Sequence, residues 1–514
     1  MKRSIPATLA LLLAPATLAA QMGASAVAAA ASITEQDIYQ RIGVLAHDSM
    51  GGRDTPSPQL ETTANYIARE FESFGLQPLG DDGGYLQRFP LKETRRDLDR
   101  STITADGGLD LRLGDTFQIL FQAGTPPETV TGPMLVVSGS ASNPAEIAEL
   151  NVGGSVAVVV AGTENGQFTT AFRQSLRPVL GQRPAAVIVV SDRSRELLAG
   201  MAARLERPSI STAWGESGPA NGLAFLEVHD DDIRSFLASN GFDLAEARSN
   251  GNRPISATSL GVDATVSLRM ASVTMTSAPN VVGLLVGSDP QLKDEYVVFS
   301  AHMDHVGIGA SADGDSIFNG ADDDASGTAA VIELAQAFSM MSPAPRRSMI
   351  FLTVSGEEKG LWGSDYFGDH PPVDMAQIVA DLNIDMVGRN WTDTIVAIGR
   401  EHSDLGETLN KVNEQHPELG MTAIDDLWPD ERFFFRSDHY NFARRGVPIL
   451  FFFNGTHEDY HQPSDELEKI DAEKESRIAR LLFYLGLEVA NATERPQWNP
   501  ESYEQIVDID ESTQ

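Results

Sequence analysis

Cysteine is absent from all 514 residues. No disulfide, thiolate zinc site, iron–sulfur cluster or cysteine nucleophile can therefore form. A lipidated N-terminal cysteine is excluded as well. Any metal in this chain has to sit on His, Asp and Glu. Positive charge is also scarce, with 38 Lys and Arg against 73 Asp and Glu and a formal net charge of −35. Such a chain repels phosphate backbones and anionic bilayers, so nucleic acid is not an expected partner. Beyond the N-terminal segment no apolar run approaches the ~18 residues that a spanning helix needs. No stable membrane insertion is expected after that segment is removed. A Walker A segment, a Gly-x-Ser-x-Gly elbow and an internal repeat are missing too. What remains is globular in composition, 42% hydrophobic and 22% charged. At roughly 100–200 residues per domain, the length allows two to four domains.

Lys2 and Arg3 precede an apolar stretch, Ala7 to Ala20, and then small residues. This is the pattern of a secretory signal peptide over 1–26, with Ala-Ser-Ala at 24–26 as a cleavage site. Pro6, Pro15 and the short apolar core argue against a permanent anchor. A secreted or periplasmic location follows. Apolar residues at three- and four-residue steps predict helices between Thr34 and Gly75, broken by a loop at Ser49–Pro56. Residues 27–127 are read as the first part of a main domain. Short apolar runs at Met134–Val137, Val156–Val160, Ala186–Val190 and Leu223–Val228 predict a small β-rich domain inserted over 128–255. The main domain resumes over 256–495. Its buried-strand candidates are Val281–Val286, Tyr296–Ser300, Met349–Val354, Ile378–Ile384 and Val447–Phe453, with a helix over Ala325–Met341. This alternation predicts an α/β fold with a mixed, largely parallel central sheet flanked by helices. Residues 496–514 read as a frayed acidic tail.

The candidate strands end in chemistry. Tyr296–Ser300 runs into Ala301-His302-Met303-Asp304-His305, and Met349–Val354 into Ser355-Gly356-Glu357-Glu358. Ile378–Ile384 meets Asp385, Val447–Phe453 precedes Asp459-Tyr460-His461, and Asp322-Asp323-Asp324 stands before the Ala325 helix. In open α/β sheets ligands bind beyond the carboxyl ends of the strands. A sulfur-free set of His and carboxylates suits Zn²⁺, Mn²⁺ or Co²⁺, and three carboxylates with a bridging hydroxide would balance two divalent ions. Strand alternation predicts His302 and Asp304 on one face, where Asp304 can fix the tautomer of a ligand imidazole. Taken alone, the triple Asp run reads equally as a solvated loop or a helix cap. Two adjacent carboxylates at a strand end repel each other unless a cation holds them, so Glu357-Glu358 reads as functional.

The segments SAHMDHVG, NGADDDASGTAAVIELA, VSGEEKGLWGS, LNIDMVG, RSDHYNF and DYHQPSDELEKI resemble the two-zinc exopeptidases. That family includes aminopeptidase Y, aminopeptidase S and glutamate carboxypeptidase, with glutaminyl cyclase as a mono-zinc relative. HDSMGGRDTP and YIAREFESFGLQPLG are similar to its first helices, so the likeness covers about residues 35–128 and 258–490. The resemblance implies two Zn²⁺ per chain. His302 and Asp385 would be terminal ligands of one ion, Glu358 and His461 of the other, and Asp323 would bridge them. Asp322 or Asp324 takes the bridging place if the register shifts by one. Glu357 matches the general base, Asp304 the partner of His302, and Tyr460 an oxyanion-stabilising tyrosine. The implied reaction is hydrolysis of the N-terminal bond of peptides with a free N-terminus. A carboxypeptidase or dipeptidase on the same site, a mono-zinc cyclotransferase and a non-enzymatic receptor ectodomain are the alternatives. The carboxypeptidase would need a cationic pocket, for which Arg389, Arg432 and Arg436 are candidates. The insert, with GGSVAVVVAGTENGQFTTAFRQ and PAAVIVVSD, resembles a protease-associated domain, and a purely structural β-domain fits it equally.

Other signals carry less. Gly307-Ile-Gly309 followed by acidic loop residues is not a dinucleotide fingerprint. Asp313 and Asp315 lack the spacing of a calcium loop. His305, His439 and His457 are expected in orienting or surface roles. Trp428 and Phe433–Phe435 are expected to pack as core or to line a pocket.

Overall fold

The computed structural model describes residues 13–123, 126–139, 150–205, 207–215, 222–249, 254–312 and 314–507. The described chain forms two compact units, one from Met1–Pro90 with Ser277–Gln514 and one from Leu91–Thr276. The basic start of the N-terminal segment, Lys2 and Arg3, lies outside the described residues. Leu13–Ser32 is a helix, and Ala26, Ala29 and Ala30 on it are buried. No described helix is long and apolar enough to cross a membrane.

The first unit is built on strands β1 (Met270–Leu285, which belongs to this unit from Ser277 onward), β2 (Tyr296–His302), β3 (Ser348–Val354), β4 (Ile378–Ile384), β5 (Thr394–Ile398), β6 (Thr422–Ile424) and β7 (Ile449–Phe452). Their order in the sheet is β1-β3-β2-β4-β7-β5-β6. β3, β2, β4 and β7 run parallel, while β1 is antiparallel to β3 and β5 to β7. Every residue of β3 and β4 is buried, as is all of β2 after Tyr296. Such runs are apolar without alternation because helices cover both faces.

Local chemistry sets the helices. In α1 (Glu35–Leu45) the Thr34 hydroxyl accepts the Asp37 N–H at 3.1 Å. In α2 (Pro58–Ser73) the Ser57 hydroxyl accepts the Leu60 N–H at 3.0 Å, and Pro58 needs no amide partner in the first turn. α3 (Ala325–Ser339) is buried nearly all round, packing on β2 and β3 with α1 and α4 (Ala472–Asn491) over it. The expected loop at Ser49–Pro56 instead begins as a 3₁₀ helix, Asp48–Arg53.

The second unit is wider than the expected 128–255. Parallel strands Thr129–Ser138, Val156–Val160, Ala186–Ser191 and Leu223–His229 form its centre. Phe117–Ala123 pairs antiparallel with Leu223–His229, and Ser256–Ser267 with Thr129–Ser138. Thr102–Ala105 and Leu109–Arg112 extend that edge. Cross-strand bonds, not composition, recruit these flanking segments.

The expected frayed tail is ordered as far as it is described. Asn499 caps the helix Pro500–Ile506, Ile506 is buried, and the Trp498 indole donates to the Gly446 carbonyl at 2.9 Å. Residues 508–514 lie outside the described residues.

Candidate metal centre

Five carriers of ligand groups meet at the carboxyl ends of the parallel strands. His302 is the last residue of β2, Asp385 directly follows β4, and Glu357 and Glu358 lie three and four residues beyond β3. His461 comes from the loop after β7, and Asp323 stands just ahead of α3. β2 ends at His302, so strand alternation does not place Asp304; the loop that follows does.

Two groups of ligand atoms result, His302, Asp323 and Asp385 in one and His305, Asp323, Glu358 and His461 in the other. Within each group the atoms lie within 4.8 Å of one another. His302 Nε2 is 3.4 Å from Asp323 and 3.6 Å from Asp385. His461 Nε2 is 3.1 Å from Asp323 and 3.2 Å from Glu358. Asp323 belongs to both groups; Asp322 and Asp324 belong to neither. Asp323 Oδ2, Glu358 Oε1 and His305 Nδ1 are buried and have no hydrogen-bond partner. Buried polar atoms without partners are rare, and a shared cation would satisfy all three. The N and O donor set is one that Zn²⁺ accepts. His305 is fully buried, which excludes the surface role expected for it.

Around these atoms lies a layer that the sequence reading only partly anticipated. The Asp304 carboxylate accepts the Thr55 hydroxyl at 3.0 Å and the Glu357 N–H at 3.2 Å. The His302 Nδ1 is 3.2 Å from the Asp304 carbonyl and 3.8 Å from its carboxylate, so the backbone is the nearer partner of the ring. Asp324 accepts N–H groups from His302, Gly327 and Met386, tying three segments together. Asp322 accepts the Gly388 N–H and faces His457 at 3.2 Å. The missed residues are Arg53, Thr55, Ser437 and Asp465. Arg53 is 1% exposed and donates to the carbonyls of Leu45, Met303, Asn319 and Gly320 at 2.6–2.9 Å. Asp465 accepts the N–H groups of Asp322 and Asp323, and Ser437 donates to Asp385 at 2.8 Å. Arg53 and Asp465 both lie inside motif segments, but neither residue type announces a buried role.

The charges are strongly coupled. Burial works against a charged His302, yet Glu357 and Asp385 outweigh it and carry its pKa well above the usual value. His461 is likewise pushed up to about 10, burial being overcome by Asp323 and Glu358. Burial opposes ionisation of Asp323, but His305, His302 and His461 hold it well below the usual carboxylate range. Glu357 moves the other way, well above the usual range, through burial and the neighbouring carboxylates. Burial also raises Asp304 to about 6. Imidazoles that carry protons in a nest of carboxylates exchange them for metal ions.

A pocket opens over the cluster, lined by Glu357, Met386, Phe433, Arg436, Phe453 and Tyr460 among others. Trp428 sits edge-on behind Phe433 and Phe453. His439 is core: its Nε2–H donates to the Phe434 carbonyl at 2.8 Å, and burial lowers its pKa to about 3. A larger cavity of about 530 Å³, bounded by Trp498 and Tyr503, holds none of the metal-ligand residues. Its cations Arg445 and Arg495 are already paired with Asp365, Asp369 and Glu295.

The chain is 27% identical over 271 residues to leupeptin-inactivating enzyme 1 of Streptomyces exfoliatus, covering 52% of this chain and 56% of that one. It is 25% identical over 242 residues to aminopeptidase YwaD of Bacillus subtilis, covering 45% and 49%. The matches thus span about half the length of these curated relatives. The aminopeptidase from Aneurinibacillus sp. strain AM-1 has the same fold, with a TM-score of 0.52 at 19% identity over 92% of this chain and 97% of that one. The sequence profile of peptidase family M28 matches residues 280–486, the stretch that carries every ligand atom of the cluster. That region of the chain belongs to peptidase family M28.

Proposed function

We propose that this protein is an exported zinc aminopeptidase that uses two metal ions. The observation that carries the reading is the pair of ligand groups sharing Asp323, with Glu357 at the pocket wall beside them. Bound zinc would supply an acidified water and a polarised scissile carbonyl. Glu357 takes the proton from the attacking water and returns it to the leaving amine. The hydrogen bond from the Glu357 N–H to Asp304 keeps the base in place. Tyr460 lines the same pocket. Burial and the nearby Asp323 and Glu358 raise its pKa, so the phenol stays protonated and can donate to the developing oxyanion. The acidic wall favours a free α-ammonium group on the substrate.

One observation favours a second reading. Arg436 lines the pocket, which would suit a substrate carboxylate. Its guanidinium, however, lies 4.7 Å from the Phe433 ring centre and 3.5 Å from Glu431, so part of its charge is already answered.

The test is zinc content together with hydrolysis of aminoacyl anilides and of N-blocked peptides, before and after chelation. Two zinc per chain with chelator-sensitive release of free N-terminal residues is the expected result. Cleavage of N-blocked peptides alone would shift the assignment to a carboxypeptidase. Glu357→Gln is expected to keep both ions and to lose roughly 10²–10⁴-fold in kcat. Wild-type turnover in that variant would remove Glu357 as the base.

A further inference from the structure

His305 stands apart from the ligand set that the sequence reading assembled. Its side chain is fully buried, yet both ring nitrogens lack a hydrogen-bond partner. Nδ1 is 2.8 Å from Glu358 Oε1 and 3.7 Å from Asp323 Oδ2. The contact with Glu358 is short enough for a hydrogen bond but not aligned as one, since neither atom has a partner by geometry. Atoms that converge on a common point, not on each other, leave that signature. The His461 ring completes the enclosure, edge-on to His305 at 5.5 Å between centres.

The distances around the group also fit a single ion. Bonds of 2.0–2.2 Å in a tetrahedron place neighbouring ligand atoms about 3.3–3.6 Å apart. The contacts here are 2.8, 3.1, 3.2 and 3.7 Å. The backbone holds the ring in place. Gly320, at φ 56, has no room for a Cβ, which would lie 2.6 Å from the His305 ring. The His305 N–H donates to the Arg53 carbonyl at 3.3 Å.

We propose that His305 is a metal ligand and that the two sites differ in kind. His305, Asp323, Glu358 and His461 form a closed site with four protein ligands. His302, Asp323 and Asp385 form an open one with three. Four protein ligands are the mark of structural zinc sites, whereas three leave a position for water and substrate. The division rests on the two-ion reading above and deepens it. The closed site fills first and anchors Asp323 for its neighbour. The open site is the place where substrate is met.

The experiment uses the full mature chain. Metal-free protein is loaded with one equivalent of zinc and its X-ray absorption is recorded. Two imidazoles per zinc are expected, from His305 and His461. One imidazole overturns the proposal, because the first ion then lies at the open site or without His305. Zinc titration against a competing chelator gives the second readout. Wild type is expected to bind two ions of unequal affinity, and His305→Asn to weaken the tighter site by 10-fold or more. His305→Asp, which keeps a ligand atom, is expected to recover part of that loss. Unchanged affinities in His305→Asn would reject His305 as a ligand while leaving the two-ion enzyme intact. Failure of wild type to take a second ion at saturating zinc would sink both readings. If the variants do not fold, as judged by circular dichroism of the metal-free forms, the wild-type absorption spectrum decides alone.

Discussion

Asp381 is a carboxyl sealed inside the sheet, on β4 four residues before Asp385. Ser300 donates to its Oδ1 at 2.7 Å, while Oδ2 has no partner. Burial pushes its pKa up to about 8. In the unfolded chain the same group ionises near 3.9, as an ordinary aspartate does. The folded form therefore keeps a proton that the unfolded form has released. Stability from this group is complete below about pH 4 and is lost as pH rises through about 8. Asp381→Asn is expected to gain stability over wild type progressively from pH 5 to pH 8. Thermal unfolding of the chelated proteins across that range measures it, and a pH-independent difference would refute it. Thr55 offers a second residue-scale expectation. Its hydroxyl donates to Asp304 and accepts the Gly356 N–H at 3.1 Å. Thr55→Val should lower kcat while leaving zinc content unchanged, because it loosens the backbone under Glu357 without touching a ligand.

Elements reach the metal centre through loops, and the loops are held by groups outside the ligand set. Arg53 ends a short 3₁₀ helix and bonds to carbonyls from three other segments. Two of those segments, around Met303 and Asn319–Gly320, lead to His302 and Asp323. Arg53→Leu strands the carbonyls in the interior and is expected to cost about 3 kcal/mol or more. It should also weaken zinc binding, as should Arg53→Lys, whose single ammonium cannot span the same carbonyls. Chemical unfolding and competitive zinc titration check both effects. α3 meets β4 closely because Gly327 has no side chain: a Cβ there would lie 2.2 Å from the Ile384 carbonyl. That approach sets Asp324, the cap of α3, against Met386 just past Asp385.

At the scale of the whole molecule, metal binding and folding are linked. The first unit gathers the carboxylates of Asp304, Asp323, Glu357, Glu358 and Asp385 at one rim in a chain of net charge −35. Ions that bind only the folded form stabilise it by about 2.7 kcal/mol per site at a hundredfold excess over Kd. Chelation is expected to lower Tm by several degrees, and zinc to restore it. A Tm indifferent to chelator would contradict a folded-state metal centre.

How much of this the amino-acid order determined follows from range. Strands β2, β3 and β4 are legible because each is a largely apolar run with a His or an acidic residue at its end or within three residues beyond it. The burial of both faces writes that pattern directly into neighbouring residues. α3 is legible for the same reason. His302, Glu358, Asp385 and His461 stand out because they follow such runs, Asp323 because the likeness to the two-zinc exopeptidases singles it out of the Asp322–Asp324 run, and the structure brings the five together. Tertiary structure alone decided the rest. Phe117–Ala123 and Ser256–Ser267 join the second unit through strand partners more than a hundred residues away. His305 and His439 are both imidazoles beside a motif. One turns into the ligand cluster and the other into an aromatic core, because Gly320 packs on the first ring and Phe451 stacks on the second. Arg53 has no local sign of burial, since three of the four carbonyls that hold it, those of Met303, Asn319 and Gly320, come from loops distant in the chain. Local pattern specifies which residues end a strand; only packing specifies which way a side chain turns once the strand has ended.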